Sequence, residues 1–280
     1  MLTTKRNGFL ILAAMGAALA GCSGDDASTP PGVDSGTSGQ QDAAAVQPDT
    51  GAALDLYPDL GVAPDLYPDL GVAPDIGQKA DPCEKEWIDA LAANDKVSTG
   101  AVATTDKGGG VKETLIDASA GGMNQAHTNP YVYVSLADGS RVDITDLQAK
   151  TSTAWDLALR RTVIRVNGGD SGPGQGAVAI VENTPLDTVT AVPASATFAA
   201  DEFIDEQCNV QRDPINNPMT AFGGSDGLWY EYSASTSKVE PKPHTYVVRR
   251  ADGTFAKVVI DSYYSNVGQS AHFAIRWSAL

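Results

Sequence analysis

Pro130-Tyr131-Val132-Tyr133-Val134-Ser135-Leu136 runs into Asp138-Gly139 and resumes as Arg141-Val142-Asp143-Ile144. β-Branched and aromatic residues on both sides of a tight Asp-Gly turn are the mark of a β-hairpin. The same signal continues downstream. Trp155 to Val166 puts Trp155, Leu157, Leu159, Arg161, Val163 and Arg165 on one face and Asp156, Ala158, Arg160, Thr162, Ile164 and Val166 on the other. Both faces are mixed, which predicts a single strand covered on two sides. Ala177–Glu182 follows a Gly-rich loop, and the last third reads as a meander: Leu228–Ser233, His244–Arg250, the turn Asp252-Gly253, Thr254–Tyr264 and His272–Ser278. Upstream, Trp87, Ile88 and Leu91 share one face of a helix over Glu84–Asn94. The expectation is an all-β, antiparallel domain over residues 83–280 with one short N-terminal helix.

What precedes the domain has a different character. Lys5 and Arg6 lead into an apolar stretch, Phe9 to Ala20. It is shorter than the roughly 20 residues a membrane-spanning helix needs, so residues 1–21 read as a signal peptide. Leu19-Ala20-Gly21-Cys22 resembles the bacterial lipobox, which implies Cys22 as the first mature residue, carrying acyl chains such as palmitate. At about 0.8 kcal/mol per buried CH₂, several chains anchor a protein durably. Ser23 rather than Asp after the Cys implies sorting to the outer membrane, at its periplasmic face or the cell surface. Residues 22–82 are rich in Asp, Ala, Gly and Pro and carry the ten-residue string Leu56–Asp65 twice in tandem, the second copy being Leu66–Asp75. Two ten-residue units bury no core, and prolines with like charges favour extended chain. A disordered spacer is expected there, or a docking motif in Leu-Tyr-Pro-Asp-Leu.

Composition narrows the function. The chain has 19 basic and 35 acidic residues, a net charge of −16. Nucleic acid as a partner is thereby disfavoured, since phosphate contacts need clustered Lys and Arg. Three His and three Cys leave little for a metal cluster, and no metal site is expected. With Cys22 lipidated, Cys83 and Cys208 remain as a pair in an oxidising compartment, and a bridge between them is expected.

Gly169-Asp170-Ser171-Gly172-Pro173 resembles the nucleophile loop of trypsin-like proteases, with His127 upstream. Forty-four residues between His127 and Ser171 are too few for that fold's two barrels, and Thr128 stands where its Cys would follow the His. No nucleophile–base pair is convincing, and no catalysis is expected.

Trp155-Asp156-Leu157-Ala158-Leu159-Arg160-Arg161, then Arg165 through Gly172, resemble the signature of the HmuY-like bacterial lipoproteins. Leu228–Ser233 and Tyr246–Val258, with its Arg250-Ala251-Asp252-Gly253 hairpin, extend the resemblance over most of residues 130–280. That family implies an outer-membrane-anchored, mostly β protein that binds haem and passes it to a receptor. Where the family places one axial His, this chain has Arg160, and the stretch matched to the second, Thr197–Pro214, contains no His. A guanidinium cannot ligate iron. Haem ligands would then come from Met123, His127, Met219 or His244, while Arg160, Arg161 and Arg165 are candidate contacts for a carboxylate or other anion. For each, a bland role remains open: surface for His244, core packing for Met219, an internal ion-pair network for the arginines. The leading reading is a lipid-anchored envelope protein that binds haem, another small ligand or an envelope partner. The alternative is a structural or protein–protein interaction module on a tether.

Overall fold

A computed structural model describes residues 81–280. The signal peptide, Cys22 and the repeat-bearing spacer up to residue 80 lie outside the described residues. Helix α1 (Glu84–Leu91) opens the domain and buries Trp87, Ala90 and Leu91. It stops three residues before the expected Asn94, because Ala92 turns left-handed at φ 41° and its N–H closes back onto Asp89. Cys83, just before it, is bonded to Cys208 with the Cα atoms 5.2 Å apart, as the cysteine count predicts.

Two antiparallel sheets make the core. The larger has six strands in the order β1 (Val102–Gly108), β2 (Val111–Asp117), β12 (Ser270–Ala279), β11 (Phe255–Tyr264), β10 (Thr245–Arg249) and β7 (Ala177–Val181). The smaller runs β4 (Arg141–Val142), β3 (Val132–Val134), β5 (Leu157–Arg160) and β6 (Val163–Val166). A two-stranded ribbon, β8 (Tyr230–Ser233) with β9 (Lys238–Pro241), stands beside them. Alternate residues of the large sheet, among them Ile116, Tyr246, Val258, Phe273, Ile275 and Trp277, form one buried cluster with Val132, Val134, Leu157, Leu159, Ile164 and Val166 of the small one. The two sheets therefore pack face to face. Behind the small sheet, Tyr131, Tyr133, Ala158 and Val163 pack on Trp87, Leu91, Trp155 and Phe203. This sheet is covered on both sides, as its mixed faces predict.

Trp155–Val166 is not a single strand. It folds at Arg161-Thr162 into the hairpin β5–β6, pairing Leu157 with Val166 and Arg160 with Val163. Arg161 takes the left-handed conformation at φ 52°, which Arg does not signal in a sequence. Its N–H donates to the Ala118 carbonyl at 2.8 Å, so tertiary contact holds the turn where residue preference does not. Two further elements carry weak signals. The hairpin β1–β2 turns on Gly108, Gly109 and Gly110, all at positive φ. A one-turn helix, α2 (Asp146–Ala149), begins at a capping box made by Thr145 and Gln148.

The outer face of the large sheet is unevenly covered. Over β7, β10 and β11 it is covered by the segment carrying Val189, Val192, Ala196 and Phe198. Over β2 it is bare, with Leu115 51% exposed.

Candidate functional site

The three arginines of the β5–β6 hairpin have three different environments. Arg160 is buried, and its Nη1 donates to the carbonyls of Ala92 at 3.3 Å and Asn129 at 3.1 Å. Its Nη2 reaches the Leu91 carbonyl and the Tyr131 hydroxyl, and the guanidinium lies 4.0 Å from the Tyr131 ring centre. Leu91 and Ala92 end α1, so Arg160 supplies donors to the carbonyls that a helix C-terminus leaves unpaired. Arg165 is wholly buried between Trp87, Tyr131 and Trp155. It donates from Nε to Ser171 Oγ and from Nη2 to the Ser171 carbonyl, both at 3.0 Å. Arg161 is half-buried, with Nη1 3.3 Å from Ser270 Oγ.

Arg165 is balanced by buried carboxylates. Asp201 accepts from the backbone N–H groups of Val166 and Ala221, at 2.9 and 2.8 Å, and from the Ser171 hydroxyl at 2.6 Å. Burial pushes the Asp201 carboxyl up to about 6, against the pull of those donors and of Arg165. Asp146 accepts from Tyr131 N–H at 3.0 Å and the Tyr133 hydroxyl at 2.9 Å, and burial raises it too. The Gly-rich loop is tied into the same knot. Trp87 donates to the Asp170 carbonyl at 2.6 Å, and Asp170 accepts from Phe203 and Ile204 N–H. Ser171 is sealed from solvent with Arg165 and Asp201 as partners. It has no imidazole to activate it, and the loop's likeness to a protease motif ends there.

From sequence, Arg160, Arg161 and Arg165 were candidate contacts for an anion. For Arg160 and Arg165 the structure corrects this: both are buried and committed to internal partners, so neither faces a ligand arriving from solvent. Asp146 and Asp201 hold the network together without being site candidates from the sequence. Thr145-x-x-Gln148 was a readable helix start that would have pointed to Asp146, whereas nothing in the sequence around Asp201 marks it.

The turn Arg161-Thr162 is also a junction. On one side, Ala118 and Asn129 bracket a loop bonded to it through Arg161 N–H and Arg160 Nη1. On the other, Asn217 Nδ2 donates to Thr162 Oγ1 at 3.3 Å, and Trp229 Nε1 to the Thr162 carbonyl at 2.7 Å. The first loop carries Met123, 78% exposed, and an exposed His127. They are spaced across a helical turn closed by Ala126 N–H on the Gly122 carbonyl. The second carries Met219, 38% exposed. Three of the four expected ligands thus stand in loops that meet one turn. His244 does not join them. It precedes β10, accepts from Asn183 N–H at 3.3 Å, and is roughly 14 Å, three strand spacings, from β2, where the first loop starts.

The chain is similar in structure to the apo HmuY analog of Tannerella forsythia, with 16% identity over 65% of this chain and 97% of that one, at a TM-score of 0.41. A protein of Bacteroides vulgatus, provisionally described as HmuY-like and heme-binding, shares 18% identity over 63% of this chain and 96% of its own, at 0.40. A provisionally described lipoprotein of Bacteroides fragilis shares 18% over 62% and 92%, at 0.42. No curated protein matches the chain. The family model for the HmuY protein matches residues 127–277, more than half of the 280, and the chain belongs to the HmuY family.

Proposed function

We propose that this chain is a binding protein of the bacterial outer membrane, held there by a lipid on Cys22, that captures haem without catalysis. The observation that carries the reading is the meeting of the Met123–His127 loop and the Met219 loop at one turn. Thioether and imidazole are among the side chains that ligate haem iron, and here Met123 and His127 stand exposed and Met219 38% exposed. Arg160, in the family's axial position, is clamped to α1, so ligation passes to the loops. Haem would supply the iron and the porphyrin plane; the chain's own residues hold it and orient it. Residues 22–82 act as the spacer between lipid and domain, and residues 83–280 as the binding domain.

The test is a haem titration of the full chain carrying Cys22→Ser, which needs no detergent, followed by absorbance. The expected result is a saturable, sharp Soret band. Met123→Ala, His127→Ala or Met219→Ala is expected to shift the band or weaken binding by about tenfold, the scale of one lost coordinating contact, while His244→Ala leaves it unchanged. An unsaturable spectrum, or one indifferent to all three loop substitutions, overturns the assignment.

A further inference from the structure

The bare half of the large sheet holds a concavity. Strand register places Ala103, Leu115 and Ala274 side by side across β1, β2 and β12. Their chain neighbours Ile116 and Phe273 face the core, so this row faces out. Small side chains on either side of Leu115 leave a dish, walled at the β11–β12 turn by Tyr264 and Asn266, with a volume of about 490 Å³. Its walls include none of Met123, His127 and Met219.

The rim is polar at one place. In the next row Asp117 pairs with His272, with Nε2 3.4 Å from Oδ1. That oxygen also accepts from Ser119 N–H at 3.0 Å, and the ring's Nδ1 lies 3.1 Å from the Ser270 carbonyl. His272 and the Ser119 N–H thus both face Oδ1, whereas Asp117 Oδ2 has no donor among the described residues and its side chain is 35% exposed. An apolar floor beside one carboxylate oxygen with spare acceptor capacity selects a ligand with a hydrocarbon body and a positively charged donor. A net charge of −16 adds a long-range attraction of the same sign.

We propose that this cleft binds a small apolar cation, an aromatic or alkyl ammonium. Its body rests on the Ala103–Leu115–Ala274 row and its N–H donates to Asp117 Oδ2. The probe is 1-naphthylmethylammonium, with 1-naphthylacetate as the anion of matched shape. Both are titrated into the full chain carrying Cys22→Ser and followed by NMR at the Leu115 methyls. The ammonium is expected to shift those methyls saturably and the acetate not to. Asp117→Asn should weaken the ammonium by about tenfold, the worth of one charge-assisted hydrogen bond. Ala274→Trp, which fills the dish, should abolish the shift while the haem titration stays unchanged. Equal binding of the two probes, no saturable shift, or full affinity in either variant overturns the proposal. Should Asp117→Asn unfold, Ala274→Trp decides alone, because it leaves the carboxylate in place.

Discussion

Arg160 and Asp201 show how much a single buried charge can hold. Arg160 joins the end of α1 to the small sheet through three carbonyls and an aromatic face. Removing it leaves the buried Leu91 carbonyl and the half-buried carbonyls of Ala92 and Asn129 without this donor, a loss on the order of 3 kcal/mol. Urea unfolding of Arg160→Ala should show that drop, and an unchanged midpoint would mean that the clamp is idle. Asp201 makes a pH prediction. Its folded-state carboxyl titrates at about 6, above the ordinary 3.8. The folded protein therefore holds this proton more tightly than the unfolded chain does. The resulting stabilisation is fully present below about 3.8 and is lost as pH rises through about 6, on the order of 3 kcal/mol in all. When protonated, the carboxyl can donate to Ser171 Oγ, which then accepts rather than donates. Melting curves between pH 4 and 7 should flatten over that window in Asp201→Asn, and a slope equal to that of the wild type would remove Asp201 as its source.

At the scale of the element, the strands with strong β-branched and aromatic signals were legible, β3, β10, β11 and β12 among them. Mixed faces correctly announced a sheet covered on both sides. What failed was punctuation. The β5–β6 turn has neither Gly nor Asn at its left-handed position, and the contacts that hold Arg161 there come from Ala118 and Ser270, far away in sequence. Pattern reading has no access to such contacts. The candidate ligands are a similar case: their residue types are readable, but only the fold shows that the loops carrying Met123, His127 and Met219 both bond to this turn through Ala118, Asn129 and Asn217. Arg161→Gly tests the turn. Glycine relieves the left-handed strain, by up to about 1 kcal/mol, at the expense of one partly exposed hydrogen bond. The variant should be as stable as the parent, in contrast to Arg160→Ala one residue away. A loss comparable to that of Arg160→Ala would show that the Arg161 side chain, and not its backbone, holds the hairpin.

For the whole molecule, the decisive cross-link is Cys83–Cys208, which closes a separation of 125 residues. In the chain-entropy model such a loop stabilises the fold by about 5 kcal/mol. Cys83→Ser with Cys208→Ser, or reduction, should lower the unfolding free energy by that order, and a shift under 1 kcal/mol would assign the bridge no part in stability. The bridge also sets a route for mechanical load. Past the Asp81–Lys150 ion pair, the first covalent tie that tension from the N-terminal side meets is Cys83, where it crosses directly to the strip that begins at Cys208. There Gln211 accepts the N–H of Met219. Helix α1, lying beyond the cross-link, is shielded from that pull, and the Arg160 clamp with it. In a reducing medium the route reverses: α1 becomes the first element to peel, and the strip bearing Met219 is slack.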